Sequence, residues 1–148
     1  MSAGTKSQAN IGGGGDYVLD DQIGYKLRIA NQKHLEIFAR EIQDVTPTQF
    51  AVLARLLEVT EVSQNHLGRL VGTDAATTKS VVGRLMRNNF ISVENSPTDR
   101  RRLMISLTDK GMAFTRRAIE RAKLVSGMTT ARLTPTETRK LLSLLEKL

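Results

Sequence analysis

Apolar residues recur at helical spacing along most of the chain. The first such stretch, residues 20–43, predicts a long helix. Residues 46–49 and 134–137 each combine an N-cap threonine, a proline at the first helical position and a glutamine or glutamate three residues after the cap. These capping boxes predict a second helix and a leucine-rich last helix. Thr108 is expected to cap a further helix that reaches about Thr130.

Two short helices between these elements are joined by a tight turn. Ser63 is positioned to cap the first of them, and Gly72 ends it because glycine readily adopts the left-handed conformation that a sharp turn needs. Thr73 or Asp74 is expected to cap the second, which carries its apolar residues on one face. Two short helices joined through a glycine-containing turn are typical of a helix-turn-helix.

Two short stretches with β-strand character follow, at residues 91–94 and 103–107. They bracket a polar segment, residues 95–102, that contains a proline and three consecutive arginines. The pattern predicts a β-hairpin with a long basic tip. The predicted fold is therefore mainly α with a small β-hairpin wing, the outline of a winged helix-turn-helix.

Composition narrows the class of protein. The chain has 148 residues, of which 40% are hydrophobic and 25% charged, and no apolar run approaches the roughly 18 residues of a membrane helix. No secretory signal is visible, so a cytoplasmic location is expected. Because cysteine is absent and His34 and His66 lie outside any metal-binding spacing, we expect no disulfide, metal site or cofactor. The glycine-rich residues 1–18 are predicted to be a disordered tail.

The basic charge is concentrated in the middle of the chain. The net charge is +7, and residues 63–123 alone hold twelve lysines and arginines against five acidic residues. The arginines at positions 100–102 share the predicted hairpin tip, where they would repel one another unless an anion relieved the repulsion. Phosphates or a narrow minor groove would do so, and the alternative is a solvated turn. Charge and motif together favour nucleic-acid binding.

Several sequence motifs resemble those of a known family. Residues 67–85 read LGRLVGTDAATTKSVVGRL, DRRRL follows at 99–103 and SLTDKG at 106–111. Together with TPTQF at 46–50, they are similar to the signature of the MarR (multiple-antibiotic-resistance regulator) family. The resemblance covers nearly all of residues 20–148 and implies a bacterial-type transcriptional regulator rather than an enzyme.

The resemblance also implies a homodimer on double-stranded DNA. Residues 19–45 and 108–148 would form a helical dimerisation region, and residues 46–107 the winged helix-turn-helix lobe, in one continuous fold. Each subunit would place a recognition helix in the major groove and a wing in the minor groove of a near-palindromic operator. The first and last helices carry more apolar residues than a small lobe can cover, which independently favours a dimer.

Small and polar residues at the start of the recognition helix suit a helix that lies deep in a groove. By the resemblance, Arg101 is the minor-groove arginine, Asp99 the acid that orients it, and Arg84 an arginine of the second half of the recognition helix. Ser80 stands where many relatives carry arginine, and Lys79 contacts either a base or only phosphate. The predicted DNA-binding set is Ser63, Gln64, Asn65, Thr73, Ala75, Ala76, Thr77, Lys79, Ser80, Arg84, Asp99, Arg100, Arg101 and Arg102.

Most relatives are released from DNA by a small molecule, often an aromatic acid, so the resemblance implies an effector. An arginine and a histidine near aromatic side chains could hold the carboxylate of such an acid, or its thioester. The alternative for His34 is a packed core histidine on the apolar seam of the first helix, which consists of Ile23, Leu27, Ala30 and Ile37. The candidate ligand-binding residues are Tyr25, Arg28, Asn31, Gln32, His34, Phe38 and Phe50.

Two other functions are compatible with a basic globular chain of this size. A sequence-independent architectural DNA-binding protein would show little preference for one site, whereas a regulator shows a specific-to-nonspecific affinity ratio of roughly 10³ or more. A hydrolase or transferase needs a nucleophile, a base and an orienting group, and nothing in the sequence groups Ser63, His66 and Asp99 in these roles. The motifs and the family that they resemble together imply a DNA-binding repressor that responds to a small organic ligand, and the architectural DNA-binding protein is the alternative.

Overall fold

The structure is a computed structural model and describes residues 17–148. The tail predicted for residues 1–18 therefore lies, up to residue 16, outside the described residues. The described residues divide into two compact units, residues 17–32 and residues 33–148. The described part of the first unit contains a short 3-10 turn and the beginning of helix α1.

The described residues form six α-helices and a small antiparallel sheet of three strands. The predicted fold class, mainly α with a small β-hairpin wing, is confirmed. The elements are α1 (Ile23–Glu41), α2 (Pro47–Val59), β1 (Glu61–Ser63), α3 (Gln64–Val71), α4 (Ala75–Arg87), β2 (Ile91–Asn95), β3 (Leu103–Leu107), α5 (Asp109–Thr129) and α6 (Pro135–Leu145). None of the six helices is long and apolar enough to span a membrane.

Local hydrogen bonds fix where the helices begin. In each capping box the threonine hydroxyl accepts from the N–H three residues later, and the side chain of that residue accepts from the threonine N–H. Thr46 and Gln49 make these bonds at 3.2 and 3.0 Å. Thr134 and Glu137 make them at 3.2 and 2.8 Å. Both boxes are confirmed, as is the capping of α5 by Thr108.

The first helix is shorter than predicted. The chain makes the 3-10 turn at Leu19–Asp21, and α1 ends at Glu41 instead of residue 43. Between the turn and α1, Gln22 has an extended backbone, which no helix can include. Its side chain donates a hydrogen bond to the Val18 carbonyl at 2.9 Å. The apolar periodicity of the sequence therefore continues through Gln22, although its backbone separates the 3-10 turn from α1.

The sheet contains one strand that the sequence did not predict. β1 pairs with β3, and β3 pairs with β2, so the predicted hairpin is completed by a third strand. Thr60, with a φ of 69°, turns the chain from α2 into β1. β1 has only three residues, too few for an alternating pattern to appear in the sequence. Because β1 leads directly into α3, it ties the helix-turn-helix to the hairpin.

An apolar core lies between the helices and the sheet. Its largest fully buried side chains come from α2, α3, α4 and β3: Leu53, Leu56, Leu67, Leu85 and Ile105. Burying one such side chain stabilises a fold by about 1.5–3 kcal/mol. The core therefore fixes the positions of α3, α4 and the sheet, whose outer faces form the candidate site.

Helix α5 meets the end of α4 at a crowded corner. The Thr108 N–H donates to the Phe90 carbonyl at 3.1 Å, and the Thr108 hydroxyl donates to the Asn89 carbonyl at 2.6 Å. Gly111 lies so close to Phe90 that a Cβ at this position would overlap the Phe90 carbonyl. The corner therefore depends on glycine at position 111 and fixes the start of α5 against the end of α4.

Gly111→Ala is expected to destabilise the protein, because the added methyl group meets backbone atoms that are held by Thr108. We expect the free energy of unfolding to fall by about 2 kcal/mol or more, as overpacking does. Gly83→Ala is the control, since its methyl group would meet only the end of the Arg87 side chain, at 3.8 Å. Alanine is the better helix former, so this variant should gain up to about 1 kcal/mol. Urea unfolding measures both, and equal stability of Gly111→Ala and wild type would contradict the crowded corner.

Candidate nucleic-acid interface

The turn between α3 and α4 is fixed by a glycine and a buried threonine. Gly72 has φ 70° and ψ 35°, the left-handed conformation predicted for it. The Thr78 hydroxyl donates to the Asp74 carbonyl at 2.7 Å and lies 2.8 Å from the Thr73 hydroxyl. Because the single Thr78 hydroxyl proton is already engaged, Thr73 is the donor in the second pair. The Thr73 side chain is therefore held against the turn.

Asp74, rather than Thr73, caps the recognition helix α4. Its carboxylate accepts a hydrogen bond from the Thr77 N–H at 2.7 Å. The hydrogen bond from the Thr77 backbone, followed by those from the Thr77 side chain and the Ala76 backbone, lowers the pKa of the Asp74 carboxyl below its ordinary value. The negative charge also interacts favourably with the helix dipole. An ionised carboxylate thus stands at the start of α4.

One face of α4 is buried and the other is exposed. The buried face consists of Thr78, Val81, Val82 and Leu85. The predicted DNA-binding residues of this helix all lie on its exposed side: Ala75, Ala76, Thr77, Lys79, Ser80 and Arg84. The two alanines at the helix start allow a close approach to another surface, and Lys79 and Arg84 supply positive charge.

The tip of the wing, residues 96–102, is held by its own backbone. The Ser96 N–H donates to the Arg102 carbonyl at 2.8 Å, and the Arg102 N–H donates to the Asp99 carbonyl at 3.0 Å. The Asp99 carboxylate accepts from the Arg101 N–H at 3.0 Å. Asp99 thus shapes the turn through the backbone, and within residues 17–148 no ion pair joins it to an arginine. The side chains of Arg100 and Arg101 are exposed.

Ser63 connects the wing to α3. It is the last residue of β1 and the N-cap of α3, and only 5% of its surface is exposed. Its hydroxyl accepts from the His66 backbone N–H at 3.4 Å and from the Arg102 guanidinium at 3.3 Å. Arg102 therefore braces the wing against α3. His66 makes this contact through its backbone N–H and not through its imidazole. The contact therefore does not pair the Ser63 hydroxyl, as a nucleophile, with a histidine base.

The wing and the start of α3 form an open cavity of about 480 Å³. It is lined by Ser63, Gln64, Asn65, Arg69, Asp99, Arg101, Arg102 and Leu103. Three arginines and one carboxylate face this space, so its chemistry suits an anion such as a phosphate. The sequence reasoning missed Arg69, although it follows Asn65 by four residues and helical spacing places both on one side of α3.

A smaller cavity of about 250 Å³ lies between α3 and the start of α4. It shares Gln64, Asn65 and Arg69 with the first cavity and also includes Thr73 and Ala75. The predicted residues of α3, the turn, α4 and the wing are thus brought to neighbouring parts of one surface. The described residues contain no group of three or more His, Asp or Glu that could hold a metal ion.

Four of the candidate ligand-binding residues lie in the first unit. The Arg28 guanidinium lies 5.5 Å from the centroid of the Tyr25 ring, within the range of a cation–π interaction. Asn31 and Gln32 are exposed on the same helix. Ile23, which was predicted to lie on an apolar seam of α1, is also exposed. This part of α1 therefore presents polar and apolar side chains to its surroundings.

The other three candidate ligand-binding residues lie in the second unit. His34 is half-buried, and its Nδ1 lies 2.9 Å from the Thr129 hydroxyl of α5. Phe38 is buried in the core, and its ring centroid lies 6.5 Å from that of His34 and 6.1 Å from that of Phe50. His34 is therefore anchored by a hydrogen bond beside the Phe38 ring, which in turn lies against the Phe50 ring.

Comparison with known proteins places this geometry in a family. A sequence profile of the MarR family matches residues 43–102. The chain is 31% identical over 134 residues to the HTH-type transcriptional repressor NicR of Pseudomonas putida, covering 89% of this chain and 85% of NicR. A probable transcriptional regulator from Pseudomonas aeruginosa has a similar crystal structure, with a TM-score of 0.84 and 41% identity over 88% of this chain and 98% of that one.

A second solved structure is that of BpsR from Bordetella bronchiseptica, whose DNA binding is regulated by 6-hydroxynicotinic acid. Its TM-score is 0.86 at 31% identity, with 90% of this chain and 96% of BpsR covered. The fold and the exposed basic surface are those of a winged helix-turn-helix DNA-binding protein. The chain belongs to the MarR family of transcriptional regulators. It is a DNA-binding regulator and not an enzyme.

Asp74→Ala is expected to lower the melting temperature at pH 7, because it removes the cap of α4. The pKa of Asp74 is lowered in the folded protein, so its stabilising effect is complete above the ordinary carboxyl pKa of about 3.9. The effect is lost as the pH falls through the lower, folded pKa. The difference in melting temperature between wild type and Asp74→Ala should therefore be wide at pH 7 and should narrow as the pH falls below the ordinary carboxyl pKa.

Asp74→Asn is the control for this titration, because asparagine caps helices about as well as aspartate and does not ionise. The difference between Asp74→Asn and Asp74→Ala should persist at low pH. If the difference between wild type and Asp74→Ala stays constant from pH 7 to pH 3, the charged cap is not the source of the stability.

Proposed function

We propose that this regulator is a repressor that binds a near-palindromic operator as a homodimer and is released by a small aromatic acid or its thioester. The observation that carries the DNA-binding part is the joint exposure of the α4 face, the start of α3 and the arginines of the wing. The repressor part is supported by the relative NicR, which is a transcriptional repressor.

In the proposed complex, α4 enters the major groove with its small residues facing the bases. The exposed methyl groups of Ala75 and Ala76 leave room for the helix to approach base edges, and Lys79 contacts a base or a phosphate. Arg101 enters the minor groove from a tip that the Asp99 carboxylate holds in shape. Asn65 and Arg69 bind the phosphate backbone in the cavity beside the wing.

The proposed dimer rests on apolar surface that the single chain leaves exposed. In the second unit, eight large apolar side chains after residue 123 are exposed: Leu124, Met128, Leu133, Leu141, Leu142, Leu144, Leu145 and Leu148. Leu142 is 58% and Leu148 83% exposed. A soluble protein rarely leaves so many apolar side chains in contact with water. Residues 19–45 and 108–148 are thus proposed as the dimerisation region, and a twofold dimer favours half-sites about 34–36 Å apart.

The proposed effector is an aromatic acid or its thioester. Regulation of BpsR by 6-hydroxynicotinic acid supports an acid of this size. On α1, Arg28 supplies a cation beside the Tyr25 ring, and His34 supplies an anchored imidazole beside Phe38. Each of these two places offers a nitrogen donor beside an aromatic ring, the combination that suits a carboxylate on an aromatic ring. These residues remain predictions for the effector.

Arg101→Ala is expected to weaken operator binding by at least about tenfold while leaving the melting temperature unchanged, because its exposed side chain has no packing to lose. If each subunit loses one phosphate equivalent, the slope of log affinity against log salt becomes shallower by about 1.8 for the dimer. The measurement is titration, at several salt concentrations, of the site that wild type selects from random DNA.

Arg139→Ala is the matched control, since it removes the same charge from α6, outside the proposed DNA-binding surface. It should keep the wild-type affinity and salt slope. An Arg101→Ala protein that binds with wild-type affinity and slope would remove the wing from the mechanism. Selection that returns no preferred sequence would favour an architectural DNA-binding protein instead.

Wild-type protein is expected to sediment as a dimer at micromolar concentration, because the exposed leucines of α6 require a partner. Leu142→Glu should shift the protein towards monomer or unfolded chain, since it places a charge in the apolar contact. Val59→Glu is the control, an exposed apolar residue at the end of α2, and should leave the dimer intact. A wild-type protein that sediments only as a monomer would refute the proposed dimer.

A further inference from the structure

A cavity of about 530 Å³ lies at the corner between α4 and α5. It is lined by Asp44, Arg87, Asn88, Asn89, Phe90, Lys110, Phe114 and Arg117. None of these residues belongs to the predicted DNA-binding or effector sets. The cavity is open to solvent, like the cavity beside the wing, and is large enough to hold a small molecule against its wall.

Two aromatic rings form the apolar part of this cavity. The Phe90 and Phe114 rings are stacked, with centroids 4.5 Å apart and an angle of 22° between their planes. Phe90 is buried, whereas Phe114 is only partly buried and contributes to the lining. A further planar ring could therefore extend the stack on Phe114, because offset-stacked rings attract one another.

Three cations surround the aromatic pair, with one carboxylate. Arg87 and Arg117 are exposed, and no ion pair within residues 17–148 involves either of them or Lys110. The Lys110 ammonium donates to the Asn88 carbonyl at 2.9 Å and lies 5.1 Å from the centroid of the Phe90 ring. It is thus held in place and retains two further N–H donors. Asp44 is the one acidic residue of the lining.

We propose that this cavity is a second ligand site, which binds a planar aromatic carboxylate by stacking its ring on Phe114 and pairing its carboxylate with Arg117 and Arg87. Neither part of the site is expected to bind a ligand tightly by itself. A small anion without a ring loses its hydration and gains no stacking, and a neutral aromatic molecule makes no ion pair with the three cations. The combination of a partly exposed aromatic ring with guanidinium groups that form no ion pair within residues 17–148 suits a ligand that carries both features.

The place of the site gives it a regulatory role that rests on the proposed function. Its walls are the C-terminal end of α4, whose exposed face is proposed to contact DNA, and the first half of α5, which is proposed to belong to the dimerisation region. Thr108 and Gly111 hold these two helices together beside the cavity. A ligand that contacts Arg87 and Arg117 at once would therefore bias the orientation of α4 relative to α5.

The test is calorimetric titration of the full-length protein with 1-naphthoate in the absence of DNA, so that its failure is separate from a failure of DNA binding. To remove the predicted effector residues, the titration uses Arg28→Ala/His34→Gln as the background. Binding should persist in this background. Adding Arg87→Ala and Arg117→Ala should weaken it by at least about tenfold, and Phe114→Leu by about three- to tenfold.

Arg116→Ala is the matched control, because it removes the same charge from the neighbouring exposed position of α5, outside the cavity lining. It should leave the affinity unchanged. Naphthalene-1-methanol, which lacks the charge, and inorganic phosphate, which lacks the ring, should each bind at least about tenfold more weakly than 1-naphthoate. Melting temperatures check that every variant is folded.

Three results would overturn the proposal. The first is binding that disappears in the Arg28→Ala/His34→Gln background. The second is binding that persists at full strength without Arg87 and Arg117, and the third is the absence of heat at millimolar 1-naphthoate. Phosphate that binds as tightly as 1-naphthoate would identify a plain anion site and would refute the aromatic part of the assignment.

Discussion

The position of α5 relative to α4, the helix proposed to face DNA, depends on the corner where α5 meets the turn that follows α4. Gly111 lies against the Phe90 backbone with no room for a side chain, and Thr108 binds the carbonyls of Phe90 and Asn89. The two helices are thus joined through backbone atoms, which are stiffer than side chains. A shift of α5 in a dimer would be transmitted to α4 at this corner, so the spacing of two recognition helices would depend on it.

The fold was predictable where short-range chemistry sets it. The caps at Thr46, Thr108 and Thr134 are made within three residues, so the sequence contains both partners of each hydrogen bond. β1 was not predictable, because its partners in β3 are more than forty residues away and three residues carry no periodic signal. The break at Gln22 was not predictable either. The apolar residues on both sides of it keep helical spacing, although the Gln22 backbone is extended.

The exposed face of α4 followed from helical spacing, but the partners of individual side chains did not. Ser63 was predicted at the interface for its place at a helix start, and the structure uses its buried hydroxyl to hold Arg102, which lies 39 residues further along the chain. Thr73 and Asp74 both have the chemistry of a cap. The choice between them depends on Thr78, whose buried hydroxyl engages Thr73 from the next turn of the helix. Such assignments need the tertiary structure.

Two carboxylates remain on the proposed DNA-facing surface, although the segment around them is strongly basic. Asp74 caps α4, and Asp99 holds the tip of the wing, each by accepting a backbone N–H. Facing phosphates, these charges would weaken the sequence-independent attraction that supplies most nonspecific binding. They would leave contacts between side chains and base edges intact, so these contacts would supply a larger share of the binding free energy in a specific complex. The residues that shape the recognition elements would therefore also limit how tightly the surface holds DNA of arbitrary sequence.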